Sequence, residues 1–432
     1  MGYMKHKGIQ KLNTWSILFV ISLLIEVLLL SFLKNRLGIY ISPFVIVFNN
    51  FALVFFAYKL KTEQKSLSFI NNGNKNKFLY IGYAFLVLIL GVFLNSVFHS
   101  IPITPEISDV IPTLQKYNTR LLSGEFPYNP IQYSSWVVIP NYLPMQWLPF
   151  SIAEILNLDY RWIAYILFVV VNFLYWKQNI SKSSLVENVF KASVPFLFVF
   201  LILQKDNLVF GTNVELMLAA FYMFLAYTIK SKNYILIALG ILFCLMSRFS
   251  LIFWLPLYVF LLFKRENFKF IFKVGFAVFV GVLIIYVIPF MSQDPFIFIK
   301  GLKYYSHAAV GEWLIKSFQT EGDIPFHLGQ GVGFAVYFYE FAKGTLEENL
   351  NFAKSFHVFI SLFTVLSLFL FYWFKKNLLA ISFFALLSFK IYLSVFYAFI
   401  HIPYVYLQLV PLFISVAILY EINLFSFKTN QE

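Results

Sequence analysis

The chain has 432 residues, of which 60% are hydrophobic, 21% aromatic and only 12% charged. Soluble domains carry about a quarter charged residues, so this composition excludes a soluble globular protein and implies an integral membrane one. The net charge of +13, from 33 Lys and Arg against 20 Asp and Glu, would point to nucleic acid in a soluble protein, but here it is first a question of topology.

A helix that crosses a bilayer needs about 20 apolar residues. Apolar runs bounded by charges, Pro or Gly predict spans at 14–33, 39–59, 78–98, 160–176, 190–205 and 213–230, then at 233–247, 249–264, 270–290, 352–374, 377–398 and 402–421. The expected fold class is all-α: a polytopic integral membrane protein of 12 transmembrane helices in a single domain, 1–432. The first run leads into Leu33-Lys34-Asn35-Arg36 without a small-residue cleavage site, so it reads as an uncleaved span. The run 142–157 is short and holds Pro144, Pro149 and Glu154, which predicts a re-entrant or interfacial segment. The single cysteine, Cys244, lies in an apolar stretch and permits no intramolecular disulfide.

Twelve spans place both termini on one side, and the loops of that side collect 20 of the 33 cations, including Lys59, Lys61, Lys65, Lys75, Lys77, Lys264 and Arg265. That side is expected to be cytoplasmic, with residues 61–77 as an exposed loop. A full crossing by 142–157 would turn the Lys264-Arg265 pair outward, which favours the re-entrant reading. The opposite side holds two long polar segments, 99–141 and 291–351, with Asp109, Glu125, Asp294, Glu312, Glu321, Asp323 and Glu340. The chemistry is expected there, and the positive balance reads as an orientation signal rather than a nucleic-acid site.

The stretch from Ser108 to Tyr128 is the most informative. Pro112 suits a first helical turn and Gly124 a C-terminal stop, predicting about three turns of helix near the membrane surface. Thr113, Lys116, Tyr117 and Arg120 fall at i, i+3, i+4 and i+7, on one face. Asp109 stands just ahead of the helix, at headgroup level. A carboxylate there can serve as general base on a hydroxyl, and neighbouring cations can neutralise a leaving phosphate. An amphipathic interfacial helix with a capping acid would carry the same pattern.

An aspartate after an early span, a short helix, Gly-x-x-Pro-Tyr (Gly124, Pro127, Tyr128) and Tyr-x-Pro (Tyr142, Pro144) ahead of an apolar segment together resemble the GT-C superfamily of membrane glycosyltransferases. More narrowly, the pattern is similar to the polyprenyl-phosphate-mannose-dependent mannosyltransferases of glycosyltransferase family 87. Gly211-Thr212-Asn213 opening a span, Leu239-Gly240, and Arg248 ahead of an apolar run ending in Lys264-Arg265 extend the likeness, which covers roughly residues 78–273. The resemblance implies an aspartate base in the first outer loop, carried here by Asp109, a sugar donor on a polyprenyl phosphate, and no nucleotide-binding domain. Family members carry one span before the aspartate loop, whereas this chain is read with three.

Arg248 is a candidate for the donor phosphate, with Lys116 and Arg120, and has Asp206 or Glu215 as alternative ion-pair partners. Tyr117, Tyr128, Asn213, Tyr304 and His307 are the candidate substrate contacts, since aromatics beside carboxylates suit sugar rings. Glu26 lies mid-span in the first helix and is expected to be paired, protonated or turned inward. The run Gly329-Gln330-Gly331-Val332-Gly333 lacks the strand-to-helix context of a phosphate loop and reads first as a packed turn. His307, His327, His357 and His401 show no metal-ligand spacing, so neither a metal nor another cofactor is expected. The expected activity is transfer of a hexose, foremost mannose, from a polyprenyl-phosphate donor to a glycan or glycolipid acceptor, with inversion, on the outer face of a bacterial plasma membrane. An O-antigen polymerase or ligase would place essential arginine and histidine in 291–351, which has two histidines and no arginine. A lipid-linked sugar flippase or transporter would show paired repeats, which the sequence lacks.

Overall fold

The computed structural model describes residues 10–63, 76–134, 136–315, 324–375 and 378–427. Lys65, Lys75, most of the 61–77 loop, Glu321 and Asp323 lie outside the described residues. The chain is all-α, with two short two-stranded ribbons.

After strand β1 (Gln10–Leu12), helix α1 (Thr14–Leu28) is started by Asn13, whose side chain accepts from the Trp15 amide. It runs through a π turn, Leu29–Leu33, into α2 (Lys34–Glu63). Gly38 breaks that helix at φ 75°, a conformation open to glycine and costly for other residues. The two arms fold back on each other: Asn49 Nδ2 donates to the Ser22 carbonyl at 2.9 Å and Trp15 Nε1 to Glu63 Oε1 at 2.8 Å.

Helix α3 (Asn76–Ser100) leads to the first polar segment, which holds α4 (Val110–Leu122) and the ribbon β2 (Ile131–Gln132) with β3 (Val137–Val138). Two short helices, α5 (Pro144–Trp147) and α6 (Ser151–Ile155), pack against α4. The chain then bends by 114° into α7 (Tyr160–Asn179). The run expected to be re-entrant is bent sharply against α7, pinned by Asn118 Nδ2 on the Trp147 carbonyl at 3.0 Å and by Glu154 between Thr119 and Tyr160, both at 2.7 Å.

There follow α8 (Leu185–Leu203), α9 (Leu208–Gly211), α10 (Glu215–Thr228), α11 (Tyr234–Leu245), α12 (Leu255–Arg265) and α13 (Phe268–Val282), the last continued as a π helix to Met291. The second polar segment supplies α14 (Ile297–Leu314), α15 (Phe326–Gln330) and α16 (Ala335–Phe341). The chain closes with α17 (Leu346–Phe374), α18 (Ile381–Ala398), α19 (Leu409–Glu421) and β4 (Phe425–Phe427), which pairs antiparallel with β1.

The count of twelve spans does not stand. Six helices among the described residues are long and apolar enough to cross a membrane, or seven with the bent pair. One of the six is the 50-residue stretch Thr14–Glu63, which contains two expected spans on either side of Gly38. The shortfall comes from α10, α11, α12 and α19, helices of 11–14 residues. At about 1.5 Å per residue they rise roughly 17–21 Å, against about 30 Å of hydrocarbon. Apolarity on all sides has a different cause in α10, α18 and α19: nearly every residue is enclosed by other helices. The periphery is instead formed by α3, α13 and α17, which turn Phe85, Phe276 and Phe363 outward. The protein is therefore membrane-embedded, with a dry centre of short helices inside a shell of long ones.

Two ends of the bundle differ in chemistry. At one, β1 and β4 meet, Lys61 Nζ donates to the Glu421 carbonyl, Lys191 pairs with Glu187 at 2.8 Å, Lys230 pairs with Glu421, and Arg265 caps the Ile229 and Ser231 carbonyls. At the other, the two polar segments come together: Tyr304 Oη donates to the Val137 carbonyl at 3.2 Å, and the Met145 amide to the Met246 carbonyl at 2.9 Å. Arg161 staples this second end. It pairs with Asp159 and donates to the carbonyls of Phe98, Ile101 and Gly211 at 2.8–2.9 Å, satisfying the C-terminal carbonyls of α3 and α9.

Candidate functional site

Helix α4 begins and ends as the sequence implies. Gly124 adopts φ 75°, its amide donates to the Leu121 carbonyl at 3.2 Å and the Glu125 amide to the Arg120 carbonyl at 2.8 Å, the paired bonds of a Schellman stop. Asp109 occupies the N-cap position, yet its side chain makes no capping bond. The half-buried carboxylate has no side-chain partner among the described residues, so it is not the capping acid of an ordinary interfacial helix. Burial raises its pKa above the usual carboxylate range, its own backbone amide opposes that shift, and the nearby charge of Glu312 adds to it.

Around Asp109 the hydroxyls of Tyr133, Tyr142 and Tyr304 lie within electrostatic reach. Thr113 Oγ1 and Tyr133 Oη share a hydrogen bond of 3.0 Å. Arg248 follows α11, placed by its amide donating to the Cys244 carbonyl at 3.0 Å, and its guanidinium grips Glu215 in a two-pronged ion pair. Both Asp109 and Arg248 act on the Tyr142 hydroxyl, so the first polar loop and the α10–α11 region converge on one tyrosine. Burial, chiefly, and the Asp109 charge hold that phenol above its ordinary range. Tyr305, Tyr404 and Tyr406 complete the cluster: Tyr404 and Tyr406 stack at 5.0 Å, and Tyr406 lies within reach of Arg248, Glu215 and Tyr142. Glu312 contributes a second acid, with His327 Nε2 at 2.8 Å from its carboxylate.

No family model, curated protein or solved structure matches the chain.

The other expected site residues divide by burial. The helical face assigned to Thr113, Lys116, Tyr117 and Arg120 is split: Thr113 and Tyr117 are buried, Lys116 is exposed, and Arg120 is half-buried. Arg120 spends its guanidinium on the carbonyls of Pro127, Asn129 and Pro130, holding the loop after α4. Tyr117 and Tyr128 form an aromatic nest with Trp147 behind the cluster, with ring centroids 5.4–6.0 Å apart. Asn213 stands two residues ahead of α10, and its Oδ1 accepts from the Glu215 amide at 3.0 Å, which fixes the start of the helix that carries the acid holding Arg248. Tyr304 lies within electrostatic reach of Asp109, whereas His307 is exposed. Arg248 takes Glu215 of its two possible partners, and Asp206 instead accepts from the Leu208 amide at 3.1 Å.

Tyr133, Tyr404 and Tyr406 were not singled out by sequence. The last two fall in the run read as the span 402–421, where a Pro403-Tyr404-Val405-Tyr406 string marked a polar turn. The glycine run has a packing cause. A Cβ on Gly331 would lie 2.1 Å from the Pro403 carbonyl oxygen, and the Val332 amide donates to that same oxygen at 3.1 Å. The run thus presses against the turn that presents Tyr404. Gly331→Ala is expected to cost about 1–3 kcal/mol, read as a lowered Tm in detergent. Gly275→Ala on α13, where a Cβ meets nothing within 4 Å, serves as the control, and equal melting of the two variants would refute the close approach.

Proposed function

We propose that the chain is a GT-C-type membrane glycosyltransferase. It transfers a hexose, mannose foremost, from a polyprenyl-phosphate donor to a glycan or glycolipid acceptor on the outer face of a bacterial plasma membrane. The observation that carries this reading is the unpartnered, half-buried Asp109 carboxylate beside the Arg248–Glu215 pair, in a cluster of tyrosines. Asp109 takes the proton of the acceptor hydroxyl as its oxygen attacks the anomeric carbon. The carbon–oxygen bond to the phosphate breaks on the opposite side, and the electron pair leaves with the phosphate, inverting the centre. Arg248 has five N–H donors and gives two to Glu215. Tyr397 also lies in hydrogen-bond reach of Arg248, and the donors left over serve the departing phosphate, a role for which Lys116 is exposed and Arg120 is already engaged. The tyrosines stack on or hydrogen-bond to sugar. The cationic end of the bundle, with Lys61, Lys191, Lys230 and Arg265, lies opposite this cluster, which supports an outward-facing site under the positive-inside rule.

Purified protein given radiolabelled mannosyl-phosphoryl-polyprenol and a lipid-extract acceptor is expected to yield labelled glycolipid and free polyprenyl phosphate. Label that crosses a vesicle membrane with the donor intact would overturn the reading in favour of transport. The pH profile carries a further prediction. Because Asp109 must be ionised to act and its pKa is raised, the acidic limb of kcat/KM should fall above the ordinary carboxylate value of about 3.9. Activity should rise with pH through that limb. Glu312→Gln removes the like charge and should move the limb to lower pH, and an unmoved limb would dissociate Asp109 from it.

A further inference from the structure

Beside the tyrosine cluster, α14, α17 and the turn after α18 bring three nitrogen bases together. Lys354 on α17 donates Nζ to Ser306 Oγ on α14 at 2.7 Å and to its carbonyl at 3.3 Å. His357, one turn further along α17, packs edge-on against Phe396 at 4.3 Å. His401 is held from outside its ring: Trp313 Nε1 donates to its carbonyl at 2.8 Å, and its imidazole meets the Tyr305 ring at 5.6 Å. Both histidines are more than nine-tenths buried, and His357 Nε2, His401 Nδ1 and His401 Nε2 have no hydrogen-bond partner. Native structures rarely leave such groups unmet, and here three ring nitrogens are unmet on two histidines within electrostatic reach of each other.

We propose that Lys354, His357 and His401 form a binding site for a phosphate-class anion, supplied as a lipid headgroup or as free phosphate. The site does not rest on the glycosyl-transfer reading. Its donor set selects the ligand's sign. An ammonium and two imidazoles, each imidazole able to take up a proton, suit phosphate oxygens. None of the three forms an ion pair with an acid among the described residues, and the acid within electrostatic reach of Lys354, Glu347, makes no contact with it. A metal cation would meet the Lys354 charge with no carboxylate to offset it. Access from the bilayer is provided by α17 itself, which exposes Phe352, Val358 and Phe359 on the faces flanking the half-buried Lys354. The titratable groups facing His401 are Lys354 and His357 from α17 and Tyr305 from α14, and Phe396 of α18 packs on His357. Burial, chiefly, with the charge of Lys354 and the neighbouring His357, holds His401 at about 3, so it is neutral when empty. An anion reverses the balance, and binding takes up protons and tightens as pH falls.

The test uses the full-length protein in two forms. Calorimetry in detergent probes inorganic phosphate at two pH values, and native mass spectrometry from mixed nanodiscs compares retention of phosphatidic acid with that of phosphatidylcholine. Wild-type protein is expected to retain phosphatidic acid selectively, to bind phosphate with proton uptake, or both. The first alone assigns a lipid source, and phosphate binding admits a free anion. Lys354→Met, at a half-exposed position that tolerates the change, and His401→Gln should each weaken the observed binding about tenfold or more. Equal retention of both lipids without phosphate binding, or binding unchanged in Lys354→Met, would overturn the proposal.

Discussion

Asp109→Asn is expected to lower hexose transfer by about 10²- to 10⁴-fold, the range lost when a positioned general base is removed, while leaving the protein folded. Asparagine has the shape of aspartate and hydrogen-bonds equally well, so a purely steric or capping role would survive the exchange. The native carboxylate makes no cap, no ion pair and no bond to another side chain among the described residues, and its one backbone partner, its own amide, can be met by the asparagine Oδ1. It also removes a charge that burial and Glu312 both disfavour. The melting temperature should therefore hold or rise slightly. Donor binding, set by Arg248 and the tyrosines, should change little, so the loss falls on kcat rather than KM. Wild-type turnover in the folded variant would remove Asp109 from the mechanism and with it the main support for glycosyl transfer.

The second large effect is on stability. Glu26 on α1 and Lys390 on α18 are fully buried and pair at 2.5 Å, with Ser415 donating to Glu26 at 2.7 Å and Lys390 donating to the Pro411 carbonyl at 2.8 Å. Lys390→Met leaves a carboxylate in the driest part of the bundle with one hydroxyl for company, and should cost about 3–5 kcal/mol. Methionine fills nearly the same volume, so little of that loss is packing. Replacing both partners, Glu26→Leu with Lys390→Met, should recover most of the stability, because the penalty lies in the orphaned charge rather than in the missing attraction. Unfolding in detergent measures both variants, and a double mutant no better than the single would refute this account.

The sequence was most legible where one local rule decides. Gly124 stops α4 because glycine alone enters the left-handed region cheaply, and the prolines at 144 and 149 signalled a broken segment, which bends by 114° into α7. The helix of the first polar segment was legible from Pro112 and Gly124, and it forms at Val110–Leu122. Counting spans failed because hydropathy measures apolarity without saying what surrounds it: α10 and α19 are apolar because other helices enclose them, and they are too short to reach both headgroup layers. Helical spacing failed on α4 for a related reason. Thr113, Lys116 and Tyr117 share a face on a bare helix, but the segment from Pro144 to Ile155 covers only part of that face. The Glu215 partner of Arg248, 33 residues away in sequence, and the tyrosines of the turn before α19 depend on tertiary convergence that no local pattern encodes.

The Glu26–Lys390 pair also sets a timetable for biogenesis. The two residues are 364 positions apart, so at about 5–20 residues per second of synthesis roughly 20–70 s pass between the emergence of the acid and that of its cation. Throughout that interval the first hairpin holds a carboxylate in or near lipid without its mate, at a cost of about 2.5–3.5 kcal/mol on insertion scales. The hairpin is therefore a natural client for whatever escorts nascent spans, and the arrival of α18 is the step that releases it.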